Sequence, residues 1–318
     1  METPILPMKG DPGDANELYI KREDLLPFSM GGNKVRIAEA YFRDMIEKGC
    51  RSMVIYGSRH SNLCRVLSAL CASRGVPCRM ICSHEEGEAS EATNNTVLVE
   101  WTGTQMVHCG KQNIAATVES VMGELEREGK APYYIFGNQY GTGNEGTAAA
   151  AYALAYEEIL RYEKRQGISF DYIFLPSGTG ATQSGLICGK LLAGDQASVM
   201  GVMISSREPK RAREVIRQGV ASYFEKTGKE LPEGYETEIC LLDQYRQGGY
   251  GAYDERIEAC IRETYCRTGV PLDPVYTAKA FWGMKEYLRE NRIKGKKVLF
   301  LHTGGGPLFY DYLGKKKC

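Results

Sequence analysis

Several short segments of the chain carry residue types whose chemistry goes beyond packing. Ser29-Met30-Gly31-Gly32-Asn33-Lys34 stands directly before a helical pattern. Its glycines permit an unusual turn and the close approach of a ligand. Lys34 then falls in the first helical turn, where the positive helix end and partial burial both disfavour an ammonium. A lysine with a lowered pKa can form a Schiff base. Taken alone, the segment also reads as a solvated lysine after a glycine turn.

Ser177-Gly178-Thr179-Gly180-Ala181-Thr182-Gln183-Ser184-Gly185 follows an apolar strand pattern and opens a helix. Small residues there expose backbone N–H groups to a phosphate, and hydroxyls supplement them. It is not a P-loop, because no Gly-Lys-Ser/Thr ends it. Ser58-Arg59-His60-Ser61-Asn62 lies between a strand and a helix. Ser61 or Asn62 can cap that helix, and its free amides could hold a carboxylate. His302-Thr303-Gly304-Gly305-Gly306-Pro307 also follows a strand, and Thr303 offers a neutral hydroxyl. Asp273-Pro274-Val275-Tyr276-Thr277-Ala278-Lys279 could present Tyr276 to a site, or be plain turn chemistry.

Other motifs point elsewhere. Gly141-Thr142-Gly143-Asn144-Glu145-Gly146 is a literal G-x-G-x-x-G before a helix. A dinucleotide fold would place an acid at the end of the following strand. That strand ends in Pro176 and Ser177, with Asp171 at its start, so a nicotinamide-dependent oxidoreductase is a distant alternative. Cys78, Cys82 and His84 lack a second ligand pair, so no metal is expected. No G-x-S-x-G elbow marks a serine hydrolase. The Lys315-Lys316-Lys317-Cys318 tail reads as a solvated end rather than a prenylation box.

The elements that must position these segments alternate. Apolar strand patterns cover Leu18–Lys21, Met53–Tyr56, Cys78–Cys82, Gln105–His108, Tyr133–Phe136, Tyr172–Leu175, Val199–Ile204, Glu238–Leu242 and Val298–Leu301. Helical patterns fall between them, including those after Lys34, over Asn62–Arg74 and over Glu145–Arg165. Such alternation predicts an α/β architecture with parallel sheets. About nine strands exceed a usual sheet of about six, so two sheets and two domains are expected. Ligands then belong at the carboxyl ends of strands, where the glycine-rich segments stand.

Composition narrows the class. The 318 residues are 43% hydrophobic and 25% charged, enough for a sizeable core without disulfide or metal staples. Lys+Arg and Asp+Glu are both 40, so the basic excess of a general nucleic-acid binder is missing. No apolar run approaches the roughly 18 residues of a membrane span. The first residues carry acid, Pro and Gly where a signal peptide has an apolar core. The eleven scattered cysteines read as reduced thiols, Cys64 and Cys71 in a helix core, which fits a cytoplasmic protein.

The order of the segments is more specific than any one of them. The series looks like the pyridoxal-phosphate enzymes of fold type II, and within them resembles the D-cysteine desulfhydrase and 1-aminocyclopropane-1-carboxylate deaminase branch. The resemblance runs from Leu18-Tyr19-Ile20-Lys21-Arg22-Glu23-Asp24 to the last glycine loop. It implies a two-domain, three-layer αβα fold, similar to the tryptophan synthase β chain, with mostly parallel sheets. Residues 1–36 and 147–318 would form the large cofactor domain, and residues 37–146 the small inserted one. Many relatives form dimers, so a homodimer is implied.

By that resemblance Lys34 would hold pyridoxal 5′-phosphate and shuttle the substrate Cα proton. Asn62 would contact the cofactor 3′-oxygen, and Ser61 would serve the substrate carboxylate or act near its Cα. Gly178, Thr179, Gly180, Ala181 and Thr182 match the phosphate cup, and Thr303 the neutral partner of the pyridine nitrogen. Tyr276 and Tyr250, in Gly249-Tyr250-Gly251, match tyrosines facing a small amino-acid substrate. The implied reaction is α,β-elimination of D-cysteine to pyruvate, ammonia and sulfide.

The alternatives are cyclopropane ring opening, β-replacement, racemization, or cofactor binding without turnover. Thr277 stands where the cyclopropane deaminases carry Glu, which favours the desulfhydrase-like side. Ile37 stands where a basic residue is usual, which leaves the phosphate to the loop or to Arg36.

Overall fold

The computed structural model describes residues 2–10, 15–84 and 92–316. The Lys317-Cys318 end of the tail and the side chain of His84 lie outside the described residues. In chain order the first elements are β1 (Ile5–Met8), β2 (Glu17–Arg22), α1 (Lys34–Glu47), β3 (Ser52–Gly57), α2 (Asn62–Ser73) and β4 (Cys78–His84). There follow α3 (Asn94–Trp101), β5 (Gln105–Gly110), α4 (Ile114–Arg127), β6 (Pro132–Tyr134), α5 (Glu145–Gln166) and β7 (Tyr172–Ser177). The last are α6 (Ala181–Ala193), β8 (Ser198–Met203), α7 (Pro209–Thr227), β9 (Cys240–Leu242), α8 (Glu255–Thr268), α9 (Thr277–Glu290), β10 (Lys297–His302) and α10 (Gly306–Lys315).

Two compact units result. One comprises Met1–Asn33 with Ala148–Cys318, the other Lys34–Thr147. The first holds a six-stranded sheet of order β1-β2-β10-β7-β8-β9, parallel except for the antiparallel β1–β2 pair. Gly201 faces Gln183 of α6, and its neighbour Val202 faces Gly283 of α9. Successive strand residues point to opposite faces, so helices cover both sides of this sheet. That explains the unbroken apolar runs of β7, β8 and β10. Phe174, Val202, Phe281 and Phe300 are buried in the core, and each such side chain contributes about 1.5–3 kcal/mol.

The second unit holds a parallel four-stranded sheet of order β5-β4-β3-β6. Met53 of β3 meets Cys71 of α2, whose thiol lies 3.7 Å from the Met53 sulfur. The next residue, Val54, pairs with Arg79, which reaches Glu124 of α4 at 2.6 Å. Helices α2 and α4 therefore pack on opposite faces. Cys64 and Cys71 are fully buried in α2, where their spacing placed them.

Some elements differ from the sequence-based expectation. β1 contains Pro7 and was not expected as a strand; it is an edge strand, where a missing N–H is tolerated. α3 carries no amphipathic signal, and its capping box pairs Thr93 with Thr96 rather than with Glu or Gln. The strand expected over Glu238–Leu242 is only Cys240–Leu242, because Tyr235–Glu238 forms a 3-10 turn. The polar Glu236-Thr237-Glu238 run has no apolar face to give a sheet. Tyr133–Phe136 shortens to Pro132–Tyr134, after which the chain turns at Gly137.

Candidate active site

The site is built first at the carboxyl ends of β7 and β10. From β7 the chain moves outward through β8 to β9, while β10 lies on the other side of β7. Strand order reverses there, which opens a crevice for a ligand at the strand ends. Gly178–Thr182 follow β7 and Thr303 follows β10.

The β7 loop ends in a helix start that no side chain caps. Gly180 adopts φ 87°, and the first helical bond runs from Ser184 N–H to the Gly180 carbonyl at 2.8 Å. The N–H groups of Ala181, Thr182 and Gln183 therefore have no intrahelical acceptor. Thr182 is buried, Gly178 and Ala181 are half-buried, and Thr179 is exposed. An anion with several oxygens matches this donor set.

Lys34 is delivered by a strained turn. Ser29, Met30, Gly31 and Gly32 all have positive φ, from 43° to 97°. A Cβ on Gly32 would stand 2.9 Å from the Thr303 carbonyl oxygen, in a backbone region that side chains rarely adopt. Gly32 N–H donates to the Glu23 carbonyl at 2.9 Å, and Asn33 N–H to the Thr303 carbonyl at 3.0 Å. Glu23 is itself held by the hydroxyls of Thr3 and Tyr152, at 2.6 and 2.8 Å. Beside it Lys21 donates to Glu158 at 2.6 Å. Asn33 also donates through its amide to Thr182 Oγ1 at 2.8 Å. The residue before Lys34 is thus tied to both the β7 and β10 loops. Burial lowers the Lys34 ammonium to about 8, which leaves roughly a tenth of the amine unprotonated at pH 7.

Ser61 caps α2 by accepting the Cys64 N–H at 3.2 Å. Asn62 opens that helix and is buried, with Oδ1 accepting from Asn95 Nδ2 at 3.1 Å. Thr93 donates to the Arg59 carbonyl at 2.7 Å, and Asn95 to the His60 carbonyl at 3.1 Å. The first turn of α3 therefore holds the Ser58–Asn62 loop. Sequence reasoning missed Thr93 and Asn95 together with their helix.

Tyr250 and Tyr276 meet, with hydroxyl oxygens 2.8 Å apart and rings edge-on at 5.8 Å. A Cβ placed on Gly178 would be 3.7 Å from Tyr276 Cε1, so that ring borders the β7 loop. Asp273 fixes Tyr276. Its carboxylate accepts the N–H groups of Val275, Tyr276 and Thr277 and the Thr277 hydroxyl, at 2.8–3.1 Å. Burial nevertheless raises the Asp273 carboxyl above its ordinary pKa, with those donors opposing the shift.

Lys279, whose role the sequence did not reveal, is buried and donates to the carbonyls of Gly249 and Arg246. It straps the loop that carries Tyr250, and burial lowers its ammonium to about 8. His302 bonds through Nε2 to the Pro271 carbonyl at 2.8 Å and accepts the Gly304 N–H on Nδ1 at 3.2 Å. These partners make His302 a brace for the Thr303 loop.

The remaining sequence motifs have structural explanations. Thr277 is fully buried with its hydroxyl committed to Asp273, and Ile37 is fully buried in core. In the Gly141–Gly146 motif, Glu145 places its carboxylate at the start of α5 and accepts the Gly143 N–H at 2.8 Å. A carboxylate at that helix start disfavours a second anion there, and Asn138 closes the turn by bonding Thr142.

Parallel α/β sheets, a depressed lysine behind a strained turn and a bare helix start after a glycine loop define a class: enzymes that hold a phosphate-bearing carbonyl cofactor on a lysine. The family model described as pyridoxal-phosphate dependent enzyme matches residues 1–304, and the chain belongs to that family. It is 30% identical over 306 residues to a D-cysteine desulfhydrase of Klebsiella pneumoniae, covering 93% of this chain and 89% of the relative. It is also 30% identical over 299 residues to a Pyrococcus abyssi protein named "Putative 1-aminocyclopropane-1-carboxylate deaminase", covering 93% and 86%. A solved structure described as an ACC deaminase homologue superposes with TM-score 0.84 at 27% identity, covering 99% of this chain and 93% of that one. The residues present fit pyridoxal phosphate: amides without an intrahelical acceptor suit its phosphate, and a lysine amine with a lowered pKa suits its carbonyl carbon.

Proposed function

We propose that the protein is a pyridoxal-phosphate lyase that removes a β-thiol from a small amino acid, D-cysteine or a close relative. The products are pyruvate, ammonia and sulfide. The observation that carries the reading is Asn33, bonded to Thr182 and to the Thr303 carbonyl, with Lys34 next along the chain. Similarity to a D-cysteine desulfhydrase supports the substrate class. The buried Thr277, with no acid in its place, favours thiol elimination over cyclopropane ring opening.

When bound, the cofactor withdraws electrons from Cα, and the protein decides which bond breaks by orienting the substrate. Lys34 would hold the cofactor through Nζ, and its amine would take the Cα proton. An amine lowered to about 8 by burial suits that proton transfer near neutral pH. The amides at the start of α6, with Thr179 and Thr182, would hold the phosphate. Thr303 would offer the ring nitrogen a neutral hydroxyl, which would limit charge storage there and favour prompt loss of the β-leaving group. Asn62 would donate to the ring oxygen, and Ser61 would serve the substrate carboxylate. Tyr276 and Tyr250, hydrogen-bonded through hydroxyls 2.8 Å apart, would orient the substrate side chain.

The same reading makes residues 1–36 and 147–318 the cofactor domain and the protein a cytoplasmic homodimer. Among the described residues no helix is long and apolar enough to cross a membrane.

The test is borohydride reduction of the purified protein, peptide mapping, and a pyruvate assay over D- and L-amino acids. An adduct on Lys34 with pyruvate from a β-thiol substrate is expected. An adduct elsewhere, or no keto acid from any of them, would overturn the reading.

A further inference from the structure

We propose that Asn95 is a positioning residue that sets which end of the Asn62 amide faces the cofactor. The inference rests on the reading that Asn62 contacts the ring oxygen. It follows from a chain of hydrogen bonds whose polarity has a single solution. The His60 carbonyl oxygen can only accept, so the Asn95 atom 3.1 Å from it must be the amide nitrogen. The same nitrogen stands 3.1 Å from Asn62, so the Asn62 atom facing it must be the carbonyl oxygen. The other end of Asn62 is then its NH2 group, which has no acceptor among the described residues.

Asn95 cannot rotate away from this assignment. It is 1% exposed and sits in the first turn of α3, where Thr93 and Thr96 form the capping box. Flipping its amide would set an oxygen against the His60 carbonyl. Its own Oδ1 is buried with no hydrogen-bond partner among the described residues. A native structure tolerates such an orphaned atom when the rest of the group is needed elsewhere. Here the NH2 end is committed to two acceptors, and its consequence is that Asn62 presents a donor.

A donor at the cofactor ring oxygen favours the deprotonated oxygen. With Asn62 reversed, a carbonyl would face that oxygen and favour the protonated form. The visible absorption of the holoenzyme reports this proton. Asn95→Asp removes the donor while keeping shape, and draws the Asn62 NH2 toward the new carboxylate. The pH midpoint of the visible spectrum should then rise by about one unit or more, the size of a lost hydrogen bond to a charged group. Asn95→Ala, which frees Asn62 to adopt either orientation, should shift it less and in the same direction. It serves if the aspartate variant does not fold.

The decisive comparison uses Asn62→Ala holoenzyme alone and combined with each Asn95 change. A positioning role predicts that Asn62→Ala raises the midpoint and that Asn95 changes then add nothing. If Asn62→Ala moves the midpoint but neither Asn95 variant does, the proposal fails and the reading of Asn62 stands. If Asn62→Ala leaves the midpoint in place, that reading fails and takes the proposal with it. A fall in melting temperature with an unmoved midpoint would show Asn95 to be structural only.

Discussion

The side-chain amide of Asn33 donates to the hydroxyl of Thr182 across 2.8 Å, between two residues 149 positions apart. One side of this bond is the residue before the lysine. The other is the second residue of α6, at a helix start that has free amides. Both partners are buried, so the bond holds its geometry without competition from water. Asn33→Ala should therefore weaken cofactor retention as well as stability. A lost buried hydrogen bond of about 1–2 kcal/mol corresponds to roughly 5- to 30-fold in affinity. Equilibrium dialysis against pyridoxal phosphate measures it, and unchanged affinity would separate the turn from the phosphate loop.

Replacing Lys34 should remove turnover by about a thousandfold or more, because no second amine is proposed to anchor the cofactor or take the Cα proton. Pyruvate formation and the borohydride adduct should disappear together in Lys34→Ala. Loss of the adduct with retained turnover would mean that another group takes the proton.

The half-buried Lys34 amine also carries a pH signature in the apoprotein. Lys34 lies near 8 in the folded state against about 10.5 unfolded, so between those values the unfolded chain binds more protons. Stability from this group is lowest below about 8 and is recovered as pH rises toward 10.5. The full effect is about 3 kcal/mol. Buried tyrosines and cysteines with raised pKa act oppositely at high pH, so the difference between wild type and Lys34→Met is the quantity to follow. Apo melting curves from pH 7.5 to 10 should show the variant gaining less with pH than wild type.

Gly32→Ala should disrupt the turn at its tightest point. The added Cβ would lie 2.9 Å from the Thr303 carbonyl oxygen at φ 97°. Strain of this kind costs about 1–3 kcal/mol. Denaturant unfolding of the variant should show that loss, together with weaker cofactor binding, since Thr303 and Asn33 are displaced with it.

Thr277→Glu should not convert the enzyme to cyclopropane ring opening. The position is fully buried and its hydroxyl serves Asp273, whose carboxylate already holds the turn that places Tyr276. A second carboxylate there adds repulsion and bulk, at a cost of about 3 kcal/mol or more. The expected result is lower stability and lower pyruvate release, with no ammonia produced from 1-aminocyclopropane-1-carboxylate. Ring-opening activity in the variant would show that Thr277 alone sets the reaction.

The sequence by itself determined the elements and the local chemistry. Continuous apolar runs such as Tyr172–Leu175 and Val298–Leu301 became central strands because each must bury both faces. Glycine-rich stretches marked the strand ends, since only they allow the backbone turns found at Gly32 and Gly180. What the sequence could not show was pairing between distant positions. A proline-bearing edge strand, β1, and a helix without amphipathic pattern, α3, have weak local signals and are held by neighbours. Lys279 looked like any lysine, and only packing revealed it as a buried strap on the Tyr250 loop. The orientation of Asn62 was likewise decided by Asn95, 33 residues away. Spacing along the chain encodes a local period, whereas hydrogen-bond polarity depends on which groups burial forces to share a partner.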